Sequence, residues 1–212
     1  MKKGINRVLG LFLVLALAIG LMQVPAQTKA AEKQTITILE TSDIHGMLMN
    51  HDYATDTPQD KGLVQAATVI AEQRKIDPDL IYVDDGDLLQ GNMISEFRSS
   101  KECSPAIEAL NYLKCDAWEL GNHEFNYEFD TLEANIKGFK GTVLGGNIYK
   151  ADGTRFVNPY LVKEINGVKV AIIGVDAPHV TRWESDKSHY NNMKFTAPGE
   201  EIGNILNELD KD

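Results

Sequence analysis

Three strand-like runs in the first 125 residues each stop at a short polar cluster, and this repetition most constrains what the chain can be. Residues 34–41 (QTITILET) run into Ser42-Asp43-Ile44-His45-Gly46. Residues 80–83 run into Asp84-Asp85-Gly86-Asp87, and residues 116–120 into Gly121-Asn122-His123-Glu124. An aspartate and a histidine two apart lie on the same side of a strand end, because side chains alternate along a strand. The amide oxygen of Asn122 is a neutral metal ligand, and His123 beside it is free for another task. Each cluster alone reads equally as a solvated polar turn. After Asp87, however, Leu88-Leu89-Gln90-Gly91-Asn92-Met93 is too apolar for a surface turn, which favours a buried carboxylate that bridges metal ions. Gly86 gives the backbone the freedom to turn Asp87 into such a site.

The elements between the clusters set the fold class. Residues 62–76 place Leu63, Ala66, Ala67, Ile70 and Ala71 on one helical face. Residues 104–113 form a second helix, with Pro105 in its first turn where a missing N–H costs nothing. Residues 129–136 form a third, and residues 142–149 a further strand containing Gly145-Gly146. Residues 156–165 and 168–175 flank Asn166-Gly167, a strong hairpin signal, and residues 198–209 read as a last helix. Residues 47–60 read as a long polar loop. Strands alternating with helices define an α/β layered domain, whose ligands sit beyond the carboxyl ends of the strands. All three polar clusters lie at such ends.

Composition narrows the function classes. Residues 1–30 carry Lys2, Lys3 and Arg7, an apolar stretch from Val8 to Met22, and Thr28-Lys29-Ala30. That is the layout of a secretory signal peptide, and the apolar stretch is shorter than the roughly 20 residues of a spanning helix. A secreted, extracellular or cell-envelope protein beginning near Ala31 is therefore expected, with a membrane anchor as the alternative. Cleavage would move the formal charge from −10 to −14, since those residues contain four cations and no acid. So acidic a chain is a poor ligand for duplex nucleic acid or anionic lipid. If it handles phosphates, bound metal ions would supply the positive charge. Cys103 and Cys115 would stand about 18 Å apart along a helix, too far for a disulfide.

Taken together, D-x-H, G-D-x-x-x-G and G-N-H-E in this order resemble the calcineurin-like metallophosphoesterases. Glu40-Thr41-Ser42-Asp43-Ile44-His45, Asp52-Tyr53, Gly62-Leu63, Gly86-Asp87-Leu88-Leu89-Gln90-Gly91 and Gly121-Asn122-His123-Glu124-Phe125-Asn126-Tyr127 resemble one branch of the 5'-nucleotidase family. That branch is the bacterial 2',3'-cyclic-nucleotide 2'-phosphodiesterase/3'-nucleotidases. The resemblance implies a four-layer α/β/β/α sandwich, of which residues 31–212 would be the N-terminal portion of the catalytic domain, incomplete at its C-terminal side. It implies two divalent ions, with Mn, Zn, Fe or Co all suited to carboxylate, imidazole and amide ligands. Asp43 and His45 would hold the first, Asp87 would bridge both, and Asn122 would hold the second. Asn122 and His123 would contact the phosphate, with His123 as the catalytic histidine that helps the leaving oxygen depart. Two ions about 3.5–4 Å apart clamp a phosphodiester and stabilise its attacking and leaving oxygens. Nucleotides or cyclic nucleotides would be the substrates.

Two departures accompany the resemblance. Related 5'-nucleotidases have an aspartate, which orients the catalytic histidine, where this chain has Asn126; the amide agrees with the cyclic-nucleotide branch. The family also completes its metal site with three further histidines and adds a nucleotide-binding domain, and these are expected downstream of residue 212. Neither His179 nor His189 sits in a matching motif. A metal-binding remnant without catalysis, a 5'-nucleotidase and a hydrolase of another ester stand as alternatives.

Overall fold

A computed structural model describes residues 33–211. The chain divides into two units, Met1–Thr35 and Ile36–Asp212, and all the elements below belong to the second. The expected signal peptide lies outside the described residues.

A four-stranded parallel sheet forms the centre, in the order β1 (Ile38–Thr41), β4 (Ile81–Asp84), β5 (Ala117–Glu119), β6 (Thr142–Leu144). In register, Thr41 pairs with Asp84, Asp84 with Trp118, and Trp118 with Val143. The strands therefore end nearly level, and the polar clusters that follow emerge side by side. Parallel strands need crossovers, and helices supply them: α1 (Leu63–Ile76), α2 (Pro105–Tyr112) and α3 (Phe129–Gly138). β4 and β5 carry the near-continuous apolar character of strands covered on both faces, with Ile81, Tyr82, Ala117 and Trp118 all buried. Ile107 and Leu110 of α2, Leu132 of α3, and Leu63 and Ile70 of α1 complete the core.

Side chains stitch the helices together where their ends would leave backbone groups unpaired. The Ser104 hydroxyl caps α2 by accepting from Ile107 N–H, and Ser104 N–H donates to Asn135 Oδ1 of α3 at 2.7 Å. Arg74, at the end of α1, donates to the carbonyls of Leu113 and Lys114 just beyond α2. Both cysteines are free, as expected from their spacing.

Several sequence expectations shift. Residues 142–149 are not one strand but two, β6 and β7 (Ile148–Tyr149). The break falls at Gly145-Gly146, whose N–H groups are taken by Asn158 O and Gly174 O, so the backbone turns there to meet other segments. The strand expected from residue 156 begins only at Tyr160: β8 (Tyr160–Ile165) pairs antiparallel with β9 (Val168–Ile173), after Phe156 and Asn158 have bonded Ile148 O and Val143 O. The hairpin turn is Asn166-Gly167 as expected, with φ of 52° and 77°. The polar loop holds a small pair, β2 (His51–Asp52) with β3 (Thr57–Pro58), closed by Asp52 Oδ1 accepting from Ala54 and Thr55 N–H. Other short elements had no sequence signal strong enough to predict: α4 (Val180–Trp183), β10 (Lys194–Phe195), which pairs with β7, and 3-10 turns at Met93–Phe97 and Asn122–Phe125. The last helix, α5 (Pro198–Leu209), is held by Arg155, which bonds Glu201 and Glu208.

Candidate metal centre

The loops after β1, β4 and β5 are locked to one another before any side chain is considered. Asp43 N–H donates to Gly86 O, His45 N–H to Asp87 O and Gly46 N–H to Leu88 O, at 2.8–3.1 Å. Asp43, His45 and Asp87 all sit at positive φ, between 48° and 54°, a region costly for residues with a Cβ. Three such residues side by side persist because the surrounding hydrogen bonds leave them no alternative. Glycine is required where the loops touch: a Cβ on Gly86 would run into Gly121 N, and one on Gly121 would stand 2.5 Å from Asp87 Oδ1.

Glu124, to which sequence reasoning gave no role, is the pin of this arrangement. It is buried, and its two oxygens accept four backbone N–H groups: Asp87, Leu88, Leu89 and Gly121, at 2.7–3.1 Å. A carboxylate can take four donors at once, which a neutral side chain cannot. Burial raises its carboxyl above the usual range and the Asp87 charge adds to this, while the backbone donors pull it back and favour the ionised form. Its position two residues after Asn122 was visible, but nothing in the sequence shows which backbone amides would converge on it.

Three of the expected side chains meet. Ligand atoms of His45, Asp87 and His123 all lie within 4.8 Å of one another. His45 Nδ1 is 3.0 Å from Gln90 O; a carbonyl only accepts, so Nδ1 carries the proton and Nε2 presents a lone pair. Nε2 lies 3.8 Å from Asp43 Oδ1, so the imidazole and the carboxylate turn their ligand atoms towards each other. Such a donor set fits a divalent cation. Asp87 Oδ1 accepts His123 N–H at 2.8 Å, which ties this carboxylate to the turn that carries Asn122. Asn122 opens that turn, between Gly121 and His123. The His45 and His123 rings approach edge to face, 5.1 Å between centroids.

The three acids flanking Gly86 divide by environment: Asp84 is buried, whereas Asp85 is exposed and Asp87 half-buried. Asp84 accepts from the Thr41 hydroxyl at 2.6 Å and from Gly86 N–H at 3.2 Å, and burial pushes its carboxyl up to about 7. It belongs to the support beneath the site. Deeper still, Glu119 Oε1 and Asp176 Oδ2 are buried without hydrogen-bond partners. Burial, with the Asp87 and Asp85 charges adding to it, pushes Asp176 up to about 8. Burial and the neighbouring Asp176 charge, with smaller contributions from Asp85, Glu124 and Asp87, push Glu119 well above the usual carboxylate range.

A parallel α/β sheet brings His45, Asp87 and His123 together beyond its strand ends as a candidate metal site, and the chain belongs to the calcineurin-like phosphoesterase family, which residues 36–211 match. It is 35% identical over 191 residues to the trifunctional nucleotide phosphoesterase protein YfkN of Bacillus subtilis, covering 81% of this chain and 13% of that one. It is 33% identical over 176 residues to a 2',3'-cyclic-nucleotide 2'-phosphodiesterase/3'-nucleotidase of Haemophilus influenzae, covering 75% of this chain and 27% of that one. The crystal structure of the calcineurin-like phosphoesterase YfkN superposes with a TM-score of 0.74 at 32% identity, over 83% of this chain and 58% of that chain. The chain thus spans well under a third of the length of these two curated relatives.

Proposed function

We propose that this chain is the N-terminal part of a secreted phosphoesterase that hydrolyses 2',3'-cyclic nucleotides and 3'-nucleotides at a two-metal site. The observation that carries the reading is the convergence of His45, Asp87 and His123, with His45 Nε2 facing the Asp43 carboxylate. Divalent ions held by Asp43, His45, Asp87 and Asn122 would supply Lewis-acid stabilisation of charge on the phosphoryl oxygens. The chain's own residues do the rest. Glu124 fixes the loops so that the ligands need no rearrangement. Asn122 and His123 lie on one turn, so both side chains would contact a phosphoryl group held there. His123 donates from Nδ1 to Asn126 Oδ1, and in its imidazolium form keeps that bond while Nε2–H gives its proton to the departing oxygen, returning the ring to the neutral Nδ1–H tautomer. The likeness to cyclic-nucleotide phosphodiesterases and the amide at Asn126 favour that substrate class.

The test is a panel of 2',3'-cyclic, 3'- and 5'-nucleotides with manganese, run beside metal titration. Two ions per protein and preference for cyclic and 3'-substrates are expected of the complete protein, downstream histidines included. His123→Ala should spare metal binding while lowering turnover, because its contribution is made in the transition state. Much faster hydrolysis of 5'-nucleotides would overturn the substrate class. Failure to take up two ions would overturn the two-metal site.

A further inference from the structure

The His123 ring does not end its hydrogen-bond chain at Asn126. Asn126 Nδ2 donates to Glu184 Oε2 at 3.3 Å, across 58 residues of sequence. Glu184 follows α4, and its side chain is only 11% exposed. Its other oxygen, Oε1, accepts Asp186 N–H at 2.7 Å, and His189 Nδ1 stands 3.3 Å from Oε2. The carboxylate is therefore held at Oε1 by a backbone N–H, with the His189 ring beside Oε2 but not hydrogen-bonded to it, and Oε2 meets the amide. This placement matters because an amide, unlike a carboxylate, has two ends. Turned one way Asn126 accepts from His123 Nδ1; turned the other way it donates, and forces the proton to Nε2.

We propose that Glu184 is a positioning residue for the phosphoester chemistry, acting through Asn126. A carboxylate only accepts, so it holds the N–H₂ end of Asn126 towards itself and the oxygen towards His123. That keeps the proton on His123 Nδ1 and frees Nε2 to face the substrate. The negative charge behind the amide also polarises it, giving a neutral Asn126 part of the character of a carboxylate beside an imidazolium. Glu184 and Asn126 together then serve the ring as one buried carboxylate would serve it directly. The inference rests on the proposed role of His123, and its test separates the two.

Labelled histidine in this chain allows the protonated nitrogen of the neutral His123 ring to be read by ¹⁵N NMR, without substrate. Wild type should show Nδ1–H alone. Glu184→Ala should show both tautomers in exchange, and where turnover is measurable kcat should fall about ten-fold or more with KM unchanged. In the Asn126→Asp background the carboxylate at 126 accepts by itself, so adding Glu184→Ala should leave Nδ1–H in place and kcat no lower. Pure Nδ1–H with unchanged kcat in Glu184→Ala overturns the proposal. So does an equal loss on removing Glu184 from the Asn126→Asp protein, a comparison that stands even if the single alanine variant does not fold. Should no form hydrolyse phosphoesters, the functional reading fails while the tautomers still decide this one.

Discussion

Asp87 combines two tasks that one substitution separates. Its Oδ1 accepts the His123 N–H, and its negative charge is what a pair of cations would share. An asparagine can accept the same N–H, so Asp87→Asn should fold normally yet lose metal uptake and several orders of magnitude of turnover. Near-normal turnover with metal still bound would refute the bridging assignment. Asp84→Asn should be mild by comparison, because burial already favours the neutral carboxyl there and its partners are a hydroxyl and a backbone N–H. Glu124 is a different kind of position. Glu124→Gln sets an amide N–H₂ against two backbone donors in a buried site, and leaving those donors unpaired should cost about 2–4 kcal/mol. Urea denaturation of the metal-free protein measures this; a loss below about 1 kcal/mol would mean the loops are held by their backbone bonds alone.

At the scale of elements, the legible parts were those in which local pattern and tertiary environment agree. α1, α2 and α5 appear where apolar spacing and Pro105 or Pro198 place them, and the Asn166-Gly167 turn falls where expected. The strand ends that carry Asp43, His45, Asp87 and Asn122 were readable because each β-run stops at a polar cluster. What was not legible depends on distant partners: Glu124 receiving four amides, Glu184 behind Asn126, and the break at Gly145-Gly146 imposed by Asn158 and Gly174. Glycines separate these two cases. Gly167 has positive φ in open space, so Gly167→Ala should cost only backbone strain, about 1 kcal/mol. Gly86 has positive φ and backbone against it, so Gly86→Ala must also push the β4 and β5 loops apart. It should therefore lower the thermal midpoint further than Gly167→Ala and abolish metal uptake, whereas Gly167→Ala should leave uptake intact. Equal effects would show that the two loops are not in fixed contact.

For the whole molecule, the buried acids make stability depend on pH in a direction opposite to that of a salt-bridged protein. Burial raises Asp84 to about 7 and Asp176 to about 8, and raises Glu119 as well. In the unfolded chain these groups ionise near the ordinary carboxylate pKa of about 4. Between about pH 4 and pH 8 the folded state therefore binds more protons than the unfolded state, and stability falls as pH rises through that window. Above the folded values the loss is complete and the curve flattens. A urea midpoint that is clearly lower at pH 8.5 than at pH 6 is expected for the metal-free protein. Asp176→Asn should flatten the slope, since it removes an acid whose Oδ2 has no partner. A cation should do the same from the other direction. The Asp87 charge helps to raise both Asp176 and Glu119, so a divalent ion beside Asp87 relieves their repulsion and favours their ionised forms. Saturating manganese should thus stabilise the protein more at pH 8.5 than at pH 6, shrinking the gap between the two midpoints. An equal gain at both pH values, in a protein that demonstrably binds the metal, would mean the buried acids are not coupled to the centre above them.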